Sequence, residues 1–287
     1  MANSNNKGND KPVWFITGCS TGFGRELAAH TLSLGYPTVV TARNTAQVAD
    51  LAAGHDELAL VLELDVTRPE QIAAATAAAL ARFGRIDVLV NNAGIGYFGS
   101  MEESDLADVR TMFEINVWGL VGMTRAVLPG MRQRRSGSIV NVSSMGGLAG
   151  FAATGFYHGT KFAVEGMSES LALEVAPLGI DVMLVEPGPF RTDWAGRSAN
   201  EATQGIADYD GTVKVRIDTI RGYSGKQPGD PKRAVAAIVK AVEADQPPRR
   251  LLLGKAALAA ARVKVESLTR NFDDWADLTE SADFPAE

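Results

Sequence analysis

Cysteine is almost missing from this chain: Cys19 is the single one in 287 residues. A lone cysteine excludes an internal disulfide and fits a reducing, cytoplasmic compartment. Cys19 falls inside a glycine-rich turn that wants a small residue, which argues against a redox role. Histidine is scarce too, and His30, His55 and His158 are too scattered for a metal site, so no metal is expected. No apolar run approaches membrane-spanning length. The stretch 1–11 is polar, lacks the apolar centre of a signal peptide, and reads as a flexible leader. Excess positive charge is also absent, with 28 Lys and Arg against 34 Asp and Glu, a net charge of −6. That balance argues against nucleic acid as a partner. Finally, no Pro-, Gly- or Ser-rich linker divides the sequence, so 12–287 is expected to form one domain despite its length.

What is present alternates. Apolar strands are predicted at 13–17, 38–42, 58–64, 86–91, 138–143, 180–186 and 250–253. Helices are predicted at 22–34, 45–53, 69–83, 157–176 and 231–243, with a long helical region from about 106 to 134, broken near Gly119 and Gly122. A further helical run covers 255–268, inside a tail from 255 to 287 that turns acidic. Apolar strands alternating with amphipathic helices imply an α/β fold, a mostly parallel sheet of about seven strands covered on both faces. Ligands in such sheets bind beyond the carboxyl ends of the strands. Between 190 and 230 periodicity fades while Trp194, Tyr209 and Tyr223 persist, which suggests a mobile lid over a substrate.

Tyr157 and Lys161 are four residues apart and are followed by apolar residues at helical spacing, so phenol and ammonium share a face. A phenol titrates near 10 in isolation. A neighbouring cation lowers that value towards the range of general acid–base work. Ser144 stands at the end of the strand that contains Ser138–Val142, thirteen residues upstream of Tyr157. A hydroxyl that donates to a substrate oxygen, beside a tyrosine that trades its proton, suits interconversion of a carbonyl and an alcohol. His158 is adjacent to Tyr157, about 100° round the helix, and reads as a bystander.

A second group of motifs lies near the start. After the first strand comes Gly18-Cys-Ser20-Thr-Gly22-Phe23-Gly24, where glycines allow a tight turn and close approach of a pyrophosphate to the free N–H groups of the helix start. The second strand ends at Ala42 and Arg43, with no carboxylate to hold a ribose diol. A guanidinium there can pair with the 2′-phosphate of NADP, which favours NADP(H) over NAD(H). The alternative is a solvated loop arginine.

Five ordered motifs carry a family resemblance: Thr17-Gly18-x-x-x-Gly22-x-Gly24, Asn91-Asn92-Ala93-Gly94, Asn116, Ser144 and Tyr157-x-x-x-Lys161. Together they resemble the short-chain dehydrogenase/reductase family, over about 13–254. The look of the tail and of Glu186–Asp193 is similar to a bacterial, hydroxysteroid-dehydrogenase-like branch. The resemblance implies a single Rossmann-type, doubly wound sheet. It also implies a catalytic tetrad: Tyr157 as general acid/base, Ser144 holding the substrate oxygen, Lys161 lowering the tyrosine pKa and binding ribose hydroxyls, and Asn116 positioning a water. For Asn116, a plain asparagine at a helix kink is the alternative. By the same resemblance Asp65 contacts adenine and Asn92, Ala93 and Gly94 pack by the ribose, although Asn92 can equally stitch strands together. Pro187, Gly188 and Thr192 then lie on the nicotinamide side.

The expected activity is NADP(H)-dependent oxidoreduction of a bulky, apolar ketone or alcohol, lined by Tyr97, Phe98, Met145, Leu148, Phe151 and Phe156. The family implies a homodimer or homotetramer. An epimerase or dehydratase of the related extended group would show a Thr-Gly-x-x-Gly-x-x-Gly turn, which this chain lacks. An NADP(H)-sensing regulator is the non-enzyme alternative, and such sensors commonly lose the tyrosine or lysine kept here.

Overall fold

The computed structural model describes residues 11–196, 198–203 and 205–284. The expected leader falls on 1–11, of which 1–10 lie outside the described residues, as do the last three residues of the tail. The first half runs β1 (Trp14–Ile16), α1 (Gly22–Ser33), β2 (Thr38–Ala42), α2 (Ala49–Ala52), β3 (Ala59–Glu63), α3 (Pro69–Phe83), β4 (Val88–Asn91) and β5 (Gly96–Phe98). It continues through α4 (Leu106–Phe113), a π turn (Glu114–Gly119) and α5 (Leu120–Arg134). The second half runs β6 (Gly137–Val142), α6 (Gly155–Val175), β7 (Ile180–Pro187), β8 (Ala199–Glu201), α7 (Val215–Gly222), α8 (Pro231–Val242), β9 (Arg250–Leu253), α9 (Lys255–Asp274) and α10 (Ala276–Glu280).

Seven strands form one sheet in the order β3-β2-β1-β4-β6-β7-β9, every pairing parallel. The sheet is buried on both sides, and successive strand residues feed two cores. Trp14, Ile16, Val40, Val90, Val140 and Val185 point to the core beneath α1 and α8. Phe15, Val39, Leu89, Ile139 and Val182 point to the core beneath α3, α5 and α6. This is the doubly wound α/β architecture expected from the alternation. Strand order reverses between β1 and β4, which opens a crevice at their carboxyl ends.

Three expectations change. The helical region from 106 to 134 is not broken but widens into the π turn at Glu114–Gly119, which ends at the first of the two glycines that suggested a break. The described residues between 190 and 230 hold regular structure: β8 pairs with β5 in a two-stranded parallel sheet, and α7 buries Ile217. Its strands are three residues long, too short for alternation to register. The tail helix reaches Asp274, beyond the expected 268. Among the described residues, no helix is long and apolar enough to cross a membrane, and no group of acidic, His or Cys side chains is arranged to hold a metal.

The helix that carries Tyr157 is pinned to the far edge of the sheet by charge. Arg250 on β9 bonds the Glu186 carboxylate of β7 at 2.7 Å and pairs with Glu165 of α6. Both acids are buried. Burial, reinforced by the Glu165 charge, raises the Glu186 pKa, while Arg250 opposes the rise. An acid whose folded pKa is raised stabilises the fold fully at low pH, and that contribution is lost as pH climbs through the folded pKa. Relative to Glu186→Gln, the wild type should therefore lose stability as pH rises through the mildly acidic range. Urea midpoints across that range test this, and parallel curves for the two proteins would refute it.

Candidate active site

Residues after six neighbouring strands converge on one cavity of about 1350 Å³, more than the usual span of a single-ligand pocket. The turn after β1 forms its floor. Gly18 adopts φ +69°, and a Cβ there would lie 2.9 Å from Ala93 Cα. At Gly24 a Cβ would lie 2.4 Å from both Asn92 Nδ2 and Gly18 O, so a side chain has no room. Asn92 donates to Thr17 O at 2.9 Å and Gly18 O at 3.0 Å, so it stitches the β1 and β4 ends together. Thr21, at the start of α1, offers no side-chain cap. The first N–H groups of α1 are thereby left for an anion.

The other cofactor candidates gather round this floor. Ser20, Gly22 and Phe23 line the cavity with Ala93 and Gly94. Ala42 is buried and Arg43 exposed at the end of β2, and both reach the cavity wall. Asp65 lines it too, with Oδ1 accepting from Thr67 N at 2.9 Å. Pro187, Gly188 and Thr192 close the opposite side. The glycine floor, the uncapped helix start and the long cavity fit a dinucleotide.

At the inner end stand Ser144, Tyr157 and Lys161. α6 begins at Gly155, so Tyr157 occupies its first turn and Lys161 the next. Both are 7% exposed. Lys161 Nζ donates to Val142 O at 2.8 Å and lies 5.7 Å from the Tyr157 ring centroid. Burial pulls the lysine down to about 8, against a small opposing pull from Glu165. Burial also pushes the Tyr157 phenol up to about 12, offset in part by a hydrogen bond with Ser144. The expected lowering of the tyrosine pKa by Lys161 is not seen here: desolvation dominates, and the cation lies over the ring, with Nζ bonded to Val142 O. Ser144 Oγ accepts from Gly146 N at 3.0 Å, and its O–H is the donor in the bond to the Tyr157 phenol.

Asn116 sits in the π turn behind the cavity wall. Its Oδ1 accepts from Ile95 N at 2.8 Å, and its Nδ2 donates to Ile95 O at 2.9 Å and Thr160 Oγ1 at 3.2 Å. A π turn at such a point is a frequent mark of a functional site.

His158 is more than the bystander the sequence suggested. Its ring is buried, with Nδ1 2.8 Å from Gly146 O and Nε2 2.7 Å from Thr154 Oγ1. A carbonyl only accepts, so Nδ1 carries the proton. Burial lowers the histidine pKa and keeps the ring neutral. His158 thus braces the turn that holds Ser144. Helical angle alone missed it, because the turn folds over the helix start. Of the expected apolar lining, Met145 and Phe151 reach the cavity, whereas Tyr97 and Phe98 are core residues beneath Trp194. Trp194 itself faces Tyr157, with ring centroids 5.0 Å apart.

Comparison with known proteins decides the family. The short chain dehydrogenase model matches residues 12–203. The chain belongs to the short-chain dehydrogenase family. Oxidoreductase BOA17 of Botryotinia fuckeliana is 37% identical over 268 residues, covering 93% of this chain and 97% of that one. Mouse 17-beta-hydroxysteroid dehydrogenase type 1 is 34% identical, covering 90% and 78%. A crystal structure of a short-chain dehydrogenase from Streptomyces avermitilis matches with TM-score 0.90 and 41% identity, covering 96% and 100%. A Burkholderia phymatum relative solved in complex with NAD matches with TM-score 0.80 and 25% identity, covering 91% and 95%. This short-chain dehydrogenase is an oxidoreductase whose cavity takes a nicotinamide cofactor.

Gly24→Ala tests the floor. In a helix Ala should stabilise by about 1 kcal/mol over Gly, so a loss can be assigned to the clash. Nicotinamide dinucleotide affinity should fall about tenfold or more in a fluorescence titration. Affinity within about twofold of wild type would mean the turn accommodates a side chain after all.

Proposed function

We propose that this enzyme interconverts a carbonyl and a secondary alcohol with NADP(H), and that Tyr157 is its general acid/base. The observation that carries this reading is the burial of Tyr157 and Lys161 beside a half-buried Ser144 at one end of a dinucleotide-sized cavity. When bound, the nicotinamide supplies or accepts the hydride. Near neutral pH the Tyr157 phenol keeps its proton, because burial holds its pKa up to about 12. It is then a donor ready for a carbonyl oxygen in the reductive direction. Ser144 turns its O–H from the phenol to the same oxygen when substrate binds, a bond that strengthens as negative charge develops there.

Lys161, with a pKa of about 8, is still charged near neutrality. Its two N–H groups beyond the Val142 bond suit the ribose hydroxyls of the cofactor. Asn116, Asp65, Asn92, Pro187, Gly188 and Thr192 take the supporting roles that the family pattern implies. Arg43 at the wall, with no acid at the end of β2, favours NADP over NAD even though the Burkholderia relative holds NAD. Phe151, Met145, Trp194 and Ile220 on the wall favour a substrate with an apolar body. We read 190–230 as its lid.

Exposed Trp118, beside α5, and Phe162 and Leu173, on α6, are 56%, 47% and 64% accessible and suit a homodimer or homotetramer. Buried Cys19, its thiol pushed up to about 12 by desolvation, suits the cytoplasm as a structural residue.

Tyr157→Phe should reduce ketone turnover by roughly 10²–10⁴-fold with cofactor affinity close to wild type. Oxidation of NADPH with a panel of apolar ketones measures it, and near-normal activity in the variant would sink the mechanism. Arg43→Ala should weaken NADPH binding by about tenfold or more while NADH binding changes about twofold at most. Equal losses for both cofactors would remove the phosphate contact.

A further inference from the structure

The substrate end of the cavity contains a cation that, among the described residues, has no carboxylate partner. Arg216, on α7, lines the wall with Thr219, Ile220 and Tyr223. Its Cζ lies 5.7 Å over the Phe151 ring. Its Nε is buried without a hydrogen-bond partner, and among the described residues no carboxylate pairs with it. The chain has 34 acidic residues against 28 basic ones, so acids are not in short supply. The other arginine of α7 is fully engaged: Arg221 bonds Ala195 O at 3.0 Å and Ala199 O at 3.1 Å and pairs with Glu201. Arg25, also on the cavity wall, pairs with Asp50. A buried donor left unmade is costly and calls for an explanation.

We propose that Arg216 is an anion subsite and that the substrate is an oxo or hydroxy carboxylic acid with an apolar body. This rests on the reaction proposed above. Phe151 supports the guanidinium from below, which leaves the edge of its fork for a carboxylate. The route from there to the chemistry passes over two ring contacts, Phe151 to His158 at 5.4 Å between centroids and His158 to Tyr157 at 5.8 Å. The carboxylate therefore lies several bonds from the reacting carbon, which excludes 2-oxo acids. Carbonyl oxygen meets Tyr157 and Ser144, the apolar chain follows Phe151 and Ile220, and the carboxylate meets Arg216.

The test uses straight-chain oxo-carboxylic acids whose ketone is set at increasing distance from the carboxylate, each against its methyl ester. In wild type, kcat/KM should favour the acid by about tenfold or more at one intermediate spacing. In Arg216→Gln that ratio should fall to about twofold or less, with partial recovery in Arg216→Lys. The ratio is read within each protein, so a general loss of activity cancels. Calorimetric binding of acid and ester gives the same comparison without turnover, and so separates this inference from the reaction itself. No acid preference at any spacing, or a preference kept in Arg216→Gln, would overturn it. So would a loss of NADPH affinity in Arg216→Gln with the acid preference intact, which would assign the guanidinium to the cofactor. Acid-selective binding without ketone reduction, Tyr157→Phe serving as the blank, would uphold the subsite and fell the reaction.

Discussion

Parallel pairing is the constraint on which the site depends. Because β1, β2, β3, β4, β6 and β7 all run the same way, every loop that follows a strand opens on one edge of the sheet. A parallel ladder needs a crossover to return the chain, and the crossovers place helix starts beside those loops. The β1 turn with the uncapped start of α1, and the β6 end with the first turn of α6, are two products of this single rule. Burial on both faces makes the strands stiff and leaves variation to the loops.

Desolvation is the second determinant. It drives the tyrosine and the lysine towards their neutral forms, from opposite directions. The two pKa values, about 12 and about 8, lie on the far sides of neutrality from an ordinary carboxylate, so the phenol is protonated and the ammonium charged under physiological conditions. Ser144, tied to Gly146, and the neutral His158 that holds Gly146 in turn, complete an environment in which donors are fixed before a substrate arrives.

Much of this was legible in the residues. Continuous apolar strands separated by helical periods gave the layer order, and the Gly18–Gly24 spacing marked the dinucleotide floor. Three things were hidden. Long-range desolvation cannot be read from an i, i+4 spacing, and that is why the direction of the Tyr157 shift came out reversed. The π turn at Glu114–Gly119 has no composition of its own. The fold of 190–230 rests on short pairings, such as Gly96 with Ala199, and on arginine bonds to carbonyls, and neither leaves a periodic trace. His158 was overlooked for a related reason, since its partner Gly146 arrives from a loop twelve residues away.

The cluster of Arg250 with Glu165 and Glu186 also sets an order of events during synthesis. Chains emerge from the ribosome amino end first, and domains condense as their segments become available. The glycine floor and the first five sheet strands can assemble early, yet two buried carboxylates behind the tyrosine helix lack their cation until residue 250 has been made. A nascent chain stopped short of β9 would contain every catalytic side chain and still hold two buried carboxylates, one of them on α6, without their cation. The charge balance behind the tyrosine helix is thus completed late, with the last strand of the sheet.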